Sequence, residues 1–555
     1  MIEIFCENNK SKNNYKIGTS LAEIAKKENL NLKYPVIGAF VNNKIKDLSY
    51  QIYKPKTIKF LDITHSTGIR IYKRSLSFVL YKAVRDLYPN NKLKIEHSVS
   101  KGLYCELEGF GSDTEQHLQA IINIGERMRK IIKQDIPFIR EEILTKDAIE
   151  LFEKNNLTEK AHLLKTRALL YTSLYKLDDC IDYFYGCLVP STGYLKNFDL
   201  EKYYEGMLLI YPKRSNPEVL EDIVNQDKMF DIFREYKNWG EIINIPNIAS
   251  LNQAVQECCI GDIIKIAEAL HEKKLAQIAD SIFKQRDKVK LILISGPSSS
   301  GKTTFAKRLA IQLRVSGLKP IQISLDNYFV NRDKTPIDAN GDFNFESIDA
   351  LDVKLVNENL IDLFDKKEVC LPKFSFTSGS RFYENTKLKI NDENIIIIEG
   401  IHALNPNLTP KIKNENKLKI YVSALTQLGI DSHNRIPTTD NRLIRRIVRD
   451  YRYRHYSALD TLKRWESVRQ GEEENIFPYQ EEADVMFNSA LLFELGVLKQ
   501  YAEPLLKKVQ ENNTEYAEAL RLLKFLSYFL PIPDDEIPPT SILREFLGGS
   551  SFDYK

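Results

Sequence analysis

Short apolar runs and longer amphipathic stretches divide this chain, and the change of period marks where its architecture changes. Near the N-terminus, residues 2–5 read as a strand, 20–28 as a helix, and 35–41 and 57–61 as further strands. That pattern predicts a small α+β module over residues 1–62. Residues 63–200 are richer in helix, with 115–136 the clearest amphipathic stretch. Residues 201–288 read as a mostly helical connector whose last part, 260–284, has the Ile, Leu and Ala spacing of a core-facing helix. From residue 289 to 506 strands and helices alternate: 291–294, 320–325, 395–398 and 418–422 are the apolar runs that buried parallel strands use. Three of these runs end on or next to a polar residue, Ser295, Asp326 and Glu399, and open α/β sheets bind ligands beside those edges. The tail, 507–555, contains Pro531-Ile-Pro-Asp-Asp-Glu-Ile-Pro-Pro539, which predicts chain lying extended over the surface. The expected fold is multidomain, α/β and α+β, with a parallel sheet and flanking helices in the C-terminal region.

Composition narrows the function classes. A chain of 555 residues with 43% hydrophobic and 28% charged residues can bury several cores. Its net charge of +3 supplies no global field for nucleic acid, so any RNA contact needs a local patch. No apolar run reaches membrane-spanning length, and the first residues lack the basic-then-apolar order of a signal peptide. A cytoplasmic protein without membrane partners is expected. Seven scattered cysteines without a CxxC pair predict reduced thiols, with Cys258 and Cys259 in a core.

The chemistry concentrates in one motif. Gly296-Pro297-Ser298-Ser299-Ser300-Gly301-Lys302-Thr303-Thr304 follows a predicted strand and opens a predicted helix. Its glycines permit a tight turn with inward amides, and the helix N-terminus adds positive potential. Lys302 can reach the β- and γ-phosphates and Thr303 can ligate Mg²⁺, so the loop predicts a nucleoside triphosphate site. Asp326, just past the second strand, is placed to accept a proton from an attacking hydroxyl or to hold a Mg²⁺ water. Glu399, ending the third strand, is the matching acid for Mg²⁺, directly or through water. Arg442, Arg445, Arg446 and Arg449 share a helical face, as a lid over transferring phosphate or a solvated basic face would. His402 is read as packed or reaching the nucleotide, and Glu472-Glu473-Glu474 as a solvated run. No Asn-Lys-x-Asp guanine-reading element follows the loop.

Together with Asp342-Phe-Asn-Phe-Glu346 and Pro372-Lys-Phe-Ser-Phe-Thr-Ser-Gly-Ser-Arg381, these motifs make residues 289–506 resemble the phosphoribulokinase/uridine kinase family of P-loop kinases. The resemblance implies ATP and Mg²⁺ as cofactors, Asp326 as base, and Lys302 with Arg442, Arg445 and Arg446 acting on the transferring phosphate. It implies Asp326, Tyr328, Glu346, Phe374 and Arg381 as the acceptor-binding set, and Thr303 and Glu399 on the metal. The acceptor motif departs from the uridine kinase pattern. Phe374 and Gly379 stand where a tyrosine and a histidine are usual, Glu346 stands for an aspartate, and Arg454-His455-Tyr456 replaces Arg-Gly-Arg.

Residues 1–62 resemble a TGS domain in Gly18-Thr-Ser-Leu-Ala-Glu-Ile-Ala and in Ala39-Phe-Val-Asn-Asn-Lys-Ile-Lys-Asp-Leu. Residues 63–200 resemble the editing region of threonyl-tRNA synthetases in Gly68-Ile-Arg-Ile-Tyr-Lys-Arg-Ser, Gly102-Leu-Tyr and Pro190-Ser-Thr-Gly-Tyr-Leu-Lys-Asn-Phe198. The four metal-ligand positions of that site fall on Arg74, Phe78, Phe184 and Leu188, none able to ligate, so neither metal nor deacylation is expected. Lys44, Lys46, Lys54, Lys56, Lys59, Arg70, Lys73 and Arg74 leave two readings open, an RNA contact or a scaffold against the kinase region. The expected function is transfer of the ATP γ-phosphate to an acceptor hydroxyl, nucleoside-like by resemblance. A non-nucleoside acceptor and an RNA- or ribosome-associated ATPase are the alternatives.

Overall fold

The computed structural model describes residues 1–109, 114–167, 169–337, 341, 343–375, 378–426 and 428–554. Asp342 and Phe376 of the acceptor motif lie outside the described residues. The N-terminal module is a five-stranded sheet in the order Ser11–Tyr15, Ile2–Cys6, Lys56–Leu61, Gly38–Val41, Lys44–Lys46. Its helix, Leu21–Lys27, starts on a capping box in which Ser20 and Glu23 satisfy each other's backbone N–H groups. Ile4, Leu21, Ile24, Ile58 and Phe60 fill the space between helix and sheet.

The next region is built on the helix Ser66–Leu87 and a four-stranded antiparallel sheet, Asp199–Tyr203, Gly206–Ile210, Leu103–Glu108, Lys92–Ile95. That sheet runs on to Ile210, so a hairpin occupies the start of what reads from sequence as a helical connector. The four positions aligned with editing-site ligands are filled by packing. Phe78, Phe184 and Leu188 are buried, with the two phenyl rings 5.4 Å apart, and Arg74 donates to the Cys187 carbonyl at 2.8 Å. Cys258 and Cys259 are exposed rather than in a core, because Cys258 takes a left-handed turn (φ 60°) before the helix Ile260–Lys284.

The C-terminal region is a five-stranded all-parallel sheet. We label its strands in chain order β1 (Leu291–Ser295), β2 (Lys319–Ser324), β3 (Asn394–Glu399), β4 (Lys417–Ser423) and β5 (Val485–Asn488). Their spatial order is β2-β3-β1-β4-β5. The helix α1 (Lys302–Val315) follows β1, and α2 (Thr438–Arg454), α3 (Ala458–Asn475) and α4 (Glu494–Leu506) follow β4 and β5. The runs of Ile and Leu in β1 and β3 are buried throughout, as a sheet covered on both faces requires. No helix among the described residues is long and apolar enough to cross a membrane.

The tail departs from the surface course expected of it. After a further helix, Tyr516–Leu526, the residues Tyr528, Phe529, Ile532, Ile537, Ile542, Leu543, Phe546 and Leu547 are buried in the main core. The prolines stop helices, but the apolar side chains between them still gain more from burial than from exposure.

Candidate functional site

The site lies at the C-terminal edge of the parallel sheet, where β1 hands over to α1. Between them the loop turns at Gly296, where a Cβ would sit 1.9 Å from the Val422 carbonyl oxygen, and at Gly301, whose φ is +80°. Ser299 also takes a left-handed backbone (φ 59°), and the buried hydroxyls of Ser299 and Ser300 have no hydrogen-bond partner. Orphaned donors inside a strained loop at a helix N-terminus fit a bound anion. Lys302 lies over the loop and donates to the Pro297 carbonyl at 3.1 Å, and burial pulls its pKa down.

Acidic groups from several elements surround this lysine, Glu399, Asp326, Glu346 and Glu545 among them. Glu399, at the end of β3, accepts from the Ser324 hydroxyl at 2.7 Å and from Thr303 Oγ1 at 3.4 Å. Burial, and after it the negative charge of Asp326, pushes the Glu399 pKa up. Asp326 is exposed in the short 3₁₀ turn after β2 and makes no hydrogen bond or ion pair with the described residues. Glu346 is pushed up to about 7 by burial, and one of its carboxyl oxygens has no partner. Carboxylates gathered beside a threonine hydroxyl are the hard oxygen donors that Mg²⁺ takes. Among the described residues no group of three or more His, Cys, Asp or Glu converges on a metal position. Thr303 and Glu399 therefore fit a Mg²⁺ that completes its shell with phosphate oxygens and water.

The arginines of α2 divide into two sets. Arg442 and Arg445 are fully buried beneath the loop rather than over it. Arg442 forms a bidentate pair with Glu472 of α3 and also donates to the Ser298 carbonyl at 3.1 Å. Arg445 pairs with Glu494 (2.5 and 3.1 Å) and donates to the Ser489 carbonyl at 2.8 Å. These two groups brace the loop from behind. Arg446, Arg449 and Arg454 instead gather around a single acid, Asp450, at 3.2, 3.1 and 3.5 Å. Arg446 reaches the Ser298 hydroxyl at 2.9 Å. The Arg449 charge, and then burial, lower Arg454 to about 10. Three guanidinium groups against one carboxylate leave an excess of positive charge suited to a phosphate.

Glu472 is the main correction to the sequence reading. It is buried, while Glu473 and Glu474 are exposed, and it accepts from the Ser298 backbone N–H at 3.1 Å. Thr461, Trp465, Val468 and Glu472 recur at helical spacing along the inward face of α3, the signal by which it was legible.

The expected acceptor set is only partly brought together. Tyr328 is buried, accepts from Asn359 at 3.1 Å, and has its pKa pushed up to about 12 by that burial. Phe374 packs 5.7 Å from Phe329 in the same apolar cluster. Arg381 pairs with Asp352 at 2.9 Å and donates to the Tyr328 and Phe329 carbonyls at 3.3 and 3.1 Å, bracing the loop that carries Asp326. Asp326 and Glu346 remain as the acidic groups facing the phosphate end. His402 is buried, with its pKa lowered to about 4 by that burial.

The basic set of the N-terminal third is partly committed to packing. Arg70 pairs with Glu518 at 2.9 Å, Lys44 with Glu511 at 3.4 Å, and Lys73 stacks on Tyr211 at 3.6 Å. Lys54 and Lys59 are exposed.

Residues 291–491 match the model of the phosphoribulokinase/uridine kinase family. The N-terminal part is similar to threonine–tRNA ligases. It is 34% identical over 189 residues to that of Desulforamulus reducens, and 32% identical over 197 residues to that of Clostridium kluyveri. These matches cover 34% and 35% of this chain, and it spans only 29% and 30% of the ligases. Among solved structures, similarity extends to the "Possible Uridine Kinase from Bacillus stearothermophilus" (TM-score 0.26, 19% identity, 39% of this chain and 100% of that one). It extends also to D-glycerate 3-kinase from Cryptococcus neoformans var. grubii (TM-score 0.22, 15% identity, 48% and 89%).

Proposed function

We propose that this chain is an ATP- and Mg²⁺-dependent kinase that transfers the γ-phosphate to a hydroxyl of a small acceptor. The observation that carries the proposal is the unpartnered Asp326 carboxylate at the sheet edge, on the same edge as Lys302, Thr303 and Glu399. Asp326 takes the proton of the attacking hydroxyl or orients it. Lys302 and the loop amides hold the phosphates, while Arg446, Arg449 and Arg454 offset charge on the transferring group. Arg442 and Arg445 keep the loop in shape. A Mg²⁺ held through Thr303 and Glu399 would neutralise charge on the donor phosphates. The second domain is proposed to run from residue 63 through the hairpin to Ile210, rather than stopping at 200, and residues 507–555 to share the core of 289–506. Residues 1–62 and the connector up to 288 keep their bounds, with the synthetase-like part a scaffold in a cytoplasmic protein.

A nucleoside acceptor is supported by the family match alone. Tyr328, Phe374 and Arg381 are occupied in the core or in bracing the loop, which favours a second reading: a sugar, polyol or other non-nucleoside hydroxyl. The test is ATP consumption against a panel of nucleosides, sugars, polyols and hydroxy acids, with product mass recorded and Lys302→Ala as control. A nucleoside monophosphate absent from the control supports the first reading, and a phosphorylated non-nucleoside the second. ATP turnover stimulated by RNA with no phosphorylated small molecule would refute both.

A further inference from the structure

Residues 542–554 pack against the phosphate loop and lie beyond the family match, which covers 291–491. Ile542, Leu543, Phe546 and Leu547 are buried, and the Arg445 guanidinium lies 5.0 Å from the Phe546 ring. Ile542 packs so closely on the loop that a Cβ at Gly301 would lie 2.5 Å from its Cγ2. This anchoring presents Glu545 to the first turn of α1. Its Oε2 accepts from Thr304 Oγ1 at 2.6 Å and from the Thr304 backbone N–H at 3.3 Å. The Tyr554 hydroxyl closes the same corner, 3.0 Å from Thr304 Oγ1 and 3.1 Å from the Ser550 hydroxyl.

The Thr304 amide belongs to the first turn of α1, where backbone N–H groups have no partner within the helix. Behind a phosphate loop those amides cradle donor phosphates. A carboxylate bonded there is an anion in the place of a phosphate oxygen, and two anions cannot share that N–H. We propose that the C-terminal segment is an internal competitor for the donor site: Glu545 holds a phosphate position on Thr304 and leaves it when the triphosphate enters. The proposal rests on reading the loop as a nucleotide site. The buried anchors need not move. Only the Glu545 side chain and the residues after Gly548 have to swing away, and Gly548 and Gly549 sit at φ +83° and +71°, where glycine turns freely. Donor affinity is then reduced by the fraction of molecules in which Glu545 is bonded to Thr304.

The test is calorimetric titration of the full chain with Mg²⁺–ATP, comparing wild type, Glu545→Gln, Tyr554→Phe and Lys302→Ala, with hydrogen exchange followed over residues 549–554. Glu545→Gln is expected to bind ATP about tenfold more tightly, since a charged hydrogen bond no longer opposes entry. Tyr554→Phe moves in the same direction by a smaller factor. In the wild type, ATP speeds exchange over 549–554. Equal or weaker binding by Glu545→Gln, or ATP slowing that exchange, overturns the competitor and makes the segment a fixed part of the site. If wild type and Glu545→Gln both fail to bind, or Lys302→Ala binds as wild type does, the nucleotide reading of the loop falls first and takes the competitor with it.

Discussion

The pair Arg442–Glu472 separates a catalytic arginine from a structural one. Both side chains are almost completely out of water, at 1% and 0% exposure, and the carboxylate also takes the Ser298 N–H. Glu472→Ala leaves a buried guanidinium without its counter-charge, which costs about 3–5 kcal/mol. Against a total stability of about 5–15 kcal/mol, that is a large share. Replacing both partners with apolar groups, Arg442→Met with Glu472→Leu, removes the desolvation cost along with the attraction. The double variant is therefore expected to recover most of the loss, a coupling well beyond additivity. The chain has two tryptophans, and Trp465 lies 5.6 Å from the Arg442 guanidinium. Its emission during urea unfolding, in a Trp239→Phe background, reports on this region directly. Turnover is measured on the same samples: a brace behind the loop leaves the double variant within about tenfold of wild type, whereas losing a group on the transferring phosphate costs about 10³-fold or more. Additive stability losses, or a double variant that folds normally without turnover, would refute the bracing role.

Asp326→Asn is expected to lower kcat by about 10²–10⁴-fold with ATP affinity nearly unchanged, checked by single-turnover kinetics beside equilibrium binding. Glu346 and Glu399 both have folded pKa values raised by burial, Glu346 from 4.5 to about 7. Stability from a raised acid is present below the unfolded pKa and is lost as pH rises through the folded one. The urea midpoint without nucleotide should therefore fall between about pH 5 and 8, and Glu346→Gln should flatten that slope; an unchanged slope in the variant contradicts the assignment. Lys160 is buried between Asp182 and Asp431, 2.7 Å from each. Lys160→Met should cost about 3–5 kcal/mol and open the contact between the N-terminal region and the parallel-sheet region to protease; unchanged cleavage would count against it. Residues 78, 184 and 188 carry no ligand atom, so hydrolysis of mischarged tRNA by the purified chain should stay at the uncatalysed rate with or without added Zn²⁺.

What could be read from the sequence follows from how local each signal is. The phosphate loop, the four apolar runs and the acids Asp326 and Glu399 are set by adjacent residues, and the strands found lie within a residue or two of those expected. The arginine stripe was visible, but its inward edge was not. Arg442 and Arg445 face acids from α3 and α4, Glu472 and Glu494, that lie 30 and 49 residues away. In the acceptor region the family motif points to Tyr328 and Phe374, yet both turn into one apolar cluster, Tyr328 from the short turn that also exposes Asp326 and Phe374 from the strand Val369–Ser375. The tail's burial is not legible locally, because proline content marks where helices stop and says nothing of whether the intervening Ile, Leu and Phe are buried. Glu545 had no local signal at all, since its partner Thr304 lies 241 residues earlier.

Those long-range pairs also bear on how the arginines would reach a phosphate under the proposed function. The segment leading from β4 into α2 is held by the synthetase-like part: Asp431 bonds Lys160, His433 Nδ1 lies 2.6 Å from Asp182, and Ser432 donates to Glu159 at 2.6 Å. At the start of α2, Asp440 pairs with Arg521 at 2.6 Å, and Arg521 shares Glu518 with Arg70. The middle of the helix is pinned by Arg442 and Arg445. Swinging α2 as a rigid lid would break several buried ion pairs at once, each costing on the order of 3–5 kcal/mol, more than transferring-group contacts return. In the last turns, from Arg446 to Arg454, one acid, Asp450, is paired with three guanidiniums among the described residues, and Arg446 adds a hydrogen bond to the Ser298 hydroxyl. On the proposed function, closure on a phosphate would therefore be a local movement of these side chains and the left-handed turn at His455, against a helix held at its start and middle by buried ion pairs.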